Sequence, residues 1–256
     1  NRIISARPFA TARAGSSTAW KGISVEVVGQ KSNVAIVSIT DPAAGDVPLE
    51  LCEAVAAHEV DASIRSTVVL LTSGFALLPQ RDYGSFNKIA DCAKPTIALV
   101  DGEIGGVATE LAMSCDIIYA SDRSSFALDQ ILLGSIPGSG GTQRLPRAIG
   151  KSRAMEMVLS GDPLPAVEAK QAGLVSKVIP HSRLLKVAIR RGEIAAEKSS
   201  LIQPMAKEAV AAAYETTLRE GLYLESKLFE ATFATRDRRE GMAAHFESRK
   251  PEWSGE

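Results

Sequence analysis

Histidine and cysteine are scarce: the 256 residues contain three of each. None of His58, His181 and His245 stands at a ligand spacing from another histidine or from Cys52, Cys92 or Cys115, so no metal site is expected. The cysteines are scattered and odd in number, which argues for reduced core thiols and against a disulfide frame. Aromatic residues make up only 5% of the chain and are not interleaved with a basic stripe. With 29 basic residues against 30 acidic ones, no nucleic acid or other polyanion is expected as a partner. No apolar run reaches the roughly 18 residues that a membrane-spanning helix needs, so no membrane partner is expected either.

Acidic residues are missing altogether from positions 1–22, which hold Arg2, Arg7, Arg13 and Lys21 among several serines. That composition is the signature of a mitochondrial transit segment, a basic tail without targeting role being the alternative. Beyond it the chain is long enough for a substantial core. Ile23–Val28 alternates, and Val34–Ile39 follows a turn at Gly29, which predicts a hairpin. Asp46 can cap a helix whose first turn accommodates Pro48. Leu51, Val55 and His58 share one face of that helix, and His58 reads as a helix-surface residue. Val68–Leu71 is continuously apolar, as in a strand covered on both sides. Amphipathic stretches near 182–198, 201–219, 222–233 and 236–249 predict helices. Alternating strands and helices followed by helices alone predict an α/β class with a helical C-terminal portion.

The chemistry concentrates between residues 95 and 143. Thr96–Val100 reads as a buried strand, and Asp101–Gly106 places Gly102, Gly105 and Gly106 in a tight turn. A helix pattern runs from Ala108 to Cys115 and a second strand covers Asp116–Ala120. Ile136–Gly141 is rich in proline and glycine. Strand, glycine turn and helix start direct backbone N–H groups and a positive dipole end at one point, which suits a developing oxyanion. Read alone, Glu110 is a carboxylate stabilised near a helix N-terminus. Gln130 can hold a water but cannot exchange its proton. Asp129 is expected to point away from its neighbour's target, and Glu103 to be a solvated loop residue.

The words ELAMSCDIIYA, ILLGSIPGSGGTQRLPRAIGKS, AMEMVLSGDPL, AKQAGLVSKV and FATRDRREGMAA carry a resemblance to the crotonase (enoyl-CoA hydratase/isomerase) superfamily. The likeness is to its mitochondrial short-chain enoyl-CoA hydratases, and it runs from Lys94 to about Trp253. It implies a crotonase-like ββα spiral over residues 23–195 and a C-terminal helical region over 196–256 that builds homo-trimers or hexamers. It also implies an acyl-CoA substrate, no cofactor beyond the coenzyme A of that substrate, and a mitochondrial matrix location. Water would add to a 2-enoyl thioester, with the backbone N–H groups of Val107 and Leu77 meeting the oxyanion. Glu110 matches the first of two usual catalytic glutamates; Gln130 stands at the second. Val107 stands where the family usually has glycine, and a stiff β-branched residue is expected to distort the turn if positive φ is needed there. The loops at 41–48 and 73–82 are shorter than the family's. Gly105, Gly106, Gly138, Phe229 and Lys250 match substrate or coenzyme A contacts, and Arg249 stands near the phosphates. Two other functions are compatible: double-bond isomerisation, and acyl-CoA binding without catalysis.

Overall fold

A computed structural model describes residues 20–31, 33–41, 46–73 and 86–256. The chain opens with β1 (Ile23–Val28) and β2 (Val34–Ile39), the antiparallel hairpin that alternation predicts. Next come α1 (Val47–Val60), β3 (Ser66–Thr72), the short α2 (Asn87–Ala90) and β4 (Thr96–Asp101). The glycine turn carries β5 (Glu103–Ile104) into α3 (Gly106–Ser114), and β6 (Ile117–Ser121) and β7 (Ser125–Phe126) follow. After a 3-10 turn at Asp129–Leu133 come α4 (Gly141–Ile149), α5 (Lys151–Ser160), β8 (Leu164–Pro165), α6 (Ala166–Ala172) and β9 (Lys177–Ile179). Four helices end the chain: α7 (His181–Ala196), α8 (Ile202–Ala212), α9 (Leu218–Thr232) and α10 (Arg236–Phe246).

The main sheet has the order β1-β2-β3-β4-β6-β9 and is parallel from β2 onward. Its central strands are apolar without interruption because both faces are covered. One face, with Val37, Val69, Ala98 and Val100, packs on α1 and α3. The other, with Ile36, Val68, Ile97 and Leu99, packs on Leu184 and Ala188 of α7. Residues ahead of β1 join the fold: Trp20 packs against the core, and the Lys21 and Gly22 amides donate to the Glu50 carboxylate. The proposed transit segment and Leu77 otherwise lie outside the described residues. No helix among the described residues is long and apolar enough to cross a membrane.

Helix α1 starts as its sequence demands, with the Asp46 side chain accepting from Leu49 N and a proline in the first turn. His58 departs from expectation. It is buried, with Nδ1 3.3 Å from Thr67 Oγ1, because the face it shares with Leu51 and Val55 is the one α1 turns to the core. Burial lowers its pKa from 6.5 to about 4; Asp61 opposes the shift and Lys94 adds to it. The unfolded chain therefore binds a proton between pH 6.5 and about 4 that the native protein refuses. Stability is expected to decline as pH falls through that window, by roughly 3 kcal/mol at about 1.4 kcal/mol per unit. Chemical denaturation at neutral and acid pH measures this. His58→Gln, which keeps a polar partner for Thr67, should flatten that part of the profile, and an unchanged slope would assign it to another group.

Candidate active site

The small sheet positions the site. β5 runs parallel to β7, the Ala127 amide donates to Ile104 O at 3.0 Å, and the Gly106 amide donates to Ala127 O at 3.1 Å. Ser124 Oγ pins the glycine turn by accepting from Gly102 N at 3.0 Å while donating to Val100 O. These bonds draw the start of α3 against the chain that continues into the 3-10 turn. The helix begins two residues earlier than its pattern predicts, and this resolves the question of Val107. The positive φ of 49° falls on Gly106, where a glycine stands, and Val107 is an ordinary second residue of the helix. Its N–H, in the first turn, has no carbonyl four residues back within the helix.

Glu110 is only 1% exposed. Its Oε1 accepts from the Ser139 amide at 2.7 Å and the Gly141 amide at 2.8 Å, and its Oε2 accepts from Gln130 Nε2 at 3.0 Å. Gly141 is the first residue of α4, so the carboxylate sits at a helix N-terminus as well as inside α3. The approach is close enough that a Cβ on Gly141 would lie 2.9 Å from Glu110 Oε1 and 2.8 Å from Pro137 Cβ. Arg144 braces the turn, donating to Ser139 O at 2.9 Å and to Asn87 Oδ1 at 3.1 Å. Burial raises the pKa of Glu110 above the usual carboxylate range, against the pull of the Gly141 and Ser139 amides, the Arg144 charge and the Gly138 amide. The result is a carboxylate held in one orientation and made more basic than a solvated one.

The structure thus brings Glu110, Gln130, Gly105, Gly106, Val107 and Gly138 together. Gln130 presents its amide nitrogen to Glu110, the only orientation that pairs a donor with a carboxylate, and its Oε1 is left buried without a partner. Asp129 points elsewhere than its neighbour, as expected: its carboxylate lies against Gly105 and its Oδ1 is also buried and unpartnered. Glu103 is exposed, its amide donating to Ser73 Oγ, in keeping with a solvated turn residue. The Ser139 and Gly141 amides and Arg144 were not singled out by sequence. Only the glycine-rich spelling of 136–141 hints at them.

Phe229 and Lys250 stand elsewhere. Phe229 lines a cleft of about 480 Å³ with Met242, Arg238 and Trp253, formed by the C-terminal helices and the tail. The Arg238 guanidinium lies 3.9 Å from the Phe233 ring and 5.0 Å from the Phe229 ring, and the two rings meet edge to face. Lys250 is exposed just beyond α10. Arg249, expected near phosphates, is committed within the chain to Glu240 and Glu247.

Residues 49–256 match the enoyl-CoA hydratase/isomerase family. The chain belongs to that family. A mitochondrial enoyl-CoA hydratase of Pongo abelii is 43% identical over 267 residues, covering 95% of this chain and 90% of the relative. A probable mitochondrial enoyl-CoA hydratase of Dictyostelium discoideum is 55% identical over 160 residues, covering 62% of this chain and 58% of the relative. The solved enoyl-CoA hydratase of Bacillus anthracis superposes with a TM-score of 0.83 at 29% identity, covering 92% of this chain and 100% of that one. The crotonase fold expected from the motifs is the fold observed.

Proposed function

We propose that this member of the enoyl-CoA hydratase/isomerase family adds water to the double bond of 2-enoyl-CoA thioesters. The observation that carries the reading is Glu110, buried and fixed by three N–H donors. Its Oε2 accepts one of those bonds and keeps capacity for an O–H of the attacking water. The thioester oxygen gains negative charge as water adds to the β-carbon, and the Val107 amide at the start of α3 is the donor assigned to it. Relatives named as hydratases, 43% and 55% identical over the lengths given, favour the same chemistry. Incubation with crotonyl-CoA, following loss of the conjugated thioester absorbance, tests it. Binding of acyl-CoA without any loss of absorbance would replace hydration by an acyl-CoA-binding role.

In this reading coenzyme A enters as part of the substrate and no separate cofactor takes part. Gly105, Gly106 and Gly138 line the reacting end, while Phe229 and Lys250 serve a coenzyme A held by a neighbouring subunit. Assembly as a trimer or a dimer of trimers supplies that neighbour. Helix α9 buries none of its 15 residues fully, and Leu222 and Phe229 on it and Phe233 at its C-cap are 53%, 54% and 57% exposed. So much apolar surface on one helix marks an interface. Sedimentation at micromolar concentration is expected to give a trimer or hexamer; a monomer would remove Phe229 from the coenzyme A site. The mitochondrial names of both relatives support a mitochondrial location, and the matrix is the compartment proposed within it.

A further inference from the structure

Two side-chain polar atoms are buried without a partner among the described residues, and they belong to neighbours: Asp129 Oδ1 and Gln130 Oε1. Buried polar atoms in folded proteins are almost always paired, so two orphans side by side call for a functional explanation. Both residues open the 3-10 turn, where consecutive side chains diverge by about 120°. Gln130 therefore reaches Glu110, while Asp129 reaches the start of α3. There its carboxylate lies so close to Gly105 that a Cβ on that residue would be 2.9 Å from Oδ2 and 3.2 Å from Oδ1. Gly105 caps α3, and Glu110 follows about 7.5 Å further along the axis at about 1.5 Å per residue. The Val107 amide falls between them along the helix. Carboxylates thus flank the oxyanion donor along α3, although position 130 itself carries only an amide.

We propose that Asp129 is an acid/base residue of the site, moving the proton that Gln130 cannot while Glu110 holds the attacking water. The inference rests on the hydration reading above. The attacking water donates one O–H to Glu110 Oε2. Its other O–H bond breaks, the proton going to Asp129, while the water oxygen bonds to the β-carbon. The π electron pair of the double bond moves onto the thioester to form the enolate, which the Val107 amide meets. As the enolate collapses, the Asp129 O–H breaks and the same proton passes to the α-carbon. The product is a 3-hydroxyacyl thioester, both carboxylates regain their starting charge, and no further reactant is consumed.

The test uses the full chain, with crotonyl-CoA as substrate and butyryl-CoA as unreactive ligand. Asp129→Asn removes the charge and keeps the shape. It is expected to lower hydration by about 10²–10⁴-fold, with butyryl-CoA affinity and melting temperature little changed. The double change Asp129→Asn with Gln130→Glu should recover at least about tenfold of that loss, since a carboxylate returns one residue away. Exchange of the α-protons of butyryl-CoA with deuterated solvent should be lost in Asp129→Asn and kept in Glu110→Gln, because only the first removes the group that serves the α-carbon. Asp129→Asn hydrating at the wild-type rate overturns the role of Asp129 and leaves that of Glu110 standing. Weakened binding with no recovery in the double variant makes Asp129 a packing residue and also overturns it. A wild-type protein that binds butyryl-CoA but hydrates nothing overturns this inference together with the hydration reading.

Discussion

Glu110→Gln is expected to lower crotonyl-CoA hydration by about 10²–10⁴-fold, because the charged acceptor that orients and polarises the attacking water is lost. The substitution is nearly isosteric, and the new amide oxygen can still accept from the Ser139 and Gly141 amides that now hold Oε1. The new amide nitrogen would face Gln130 Nε2, but the Gln130 side chain can turn its orphaned Oε1 toward it instead. Structure should therefore survive while chemistry is lost. The pH dependence adds a second signature. Wild-type activity needs the carboxylate ionised, so it should fall as pH drops through the Glu110 pKa, which burial places above the ordinary 4.5. The native state also binds this proton more tightly than the unfolded chain does. Stability contributed by Glu110 is thus present below the unfolded pKa and lost as pH rises through the folded one. His58 works in the opposite direction over its own window from 6.5 down to about 4. Removing Glu110 should accordingly steepen the loss of stability in acid. Stopped-flow rates and denaturant titrations on the two proteins read both effects, and a variant with wild-type turnover would remove Glu110 from the mechanism.

Much of this was legible in the sequence where the signal is local. The Asp46 cap, the Pro48 first turn and the Gly29 hairpin follow from residue types within a few positions of one another. Legibility fails where an outcome depends on distant packing. His58 shares a face with Leu51 and Val55 as expected, yet whether that face is wet is decided by β3, which brings Thr67 beside it. Strand β9 is three residues long, too short to show alternation, and it exists because Tyr119, Ala120 and Ser121 offer it an edge. The amides that hold Glu110 lie 29 and 31 residues away and carry no side-chain signature. Asp129 was expected to look away from the target of Gln130, which it does. What the spacing could not reveal is that the stitching of β5 to β7 places a second wall of the same site in its path.

The Val107 amide can be tested without touching any side chain that carries chemistry. Val107→Pro deletes the N–H and nothing else that the oxyanion needs. Proline is tolerated in the first turn of a helix, where that N–H has no intrahelical partner to lose. Val107 is the second residue of α3, so the helix should persist. The restriction that proline places on the preceding residue falls on Gly106, which already sits at φ 49° and has no Cβ to clash. The loss of the valine side chain from the core is partly offset by the ring, so a drop of a few degrees in melting temperature is expected. Hydration should fall by about 10²–10³-fold, the cost of one oxyanion donor, or roughly 3–4 kcal/mol. Affinity for butyryl-CoA should change far less, because a ground-state carbonyl carries much less charge than an enolate. Val107→Ala keeps the amide and serves as the control for packing. If the alanine and proline variants lose the same amount, the valine side chain is what the site requires. The donor to the enolate must then be sought elsewhere along the start of α3.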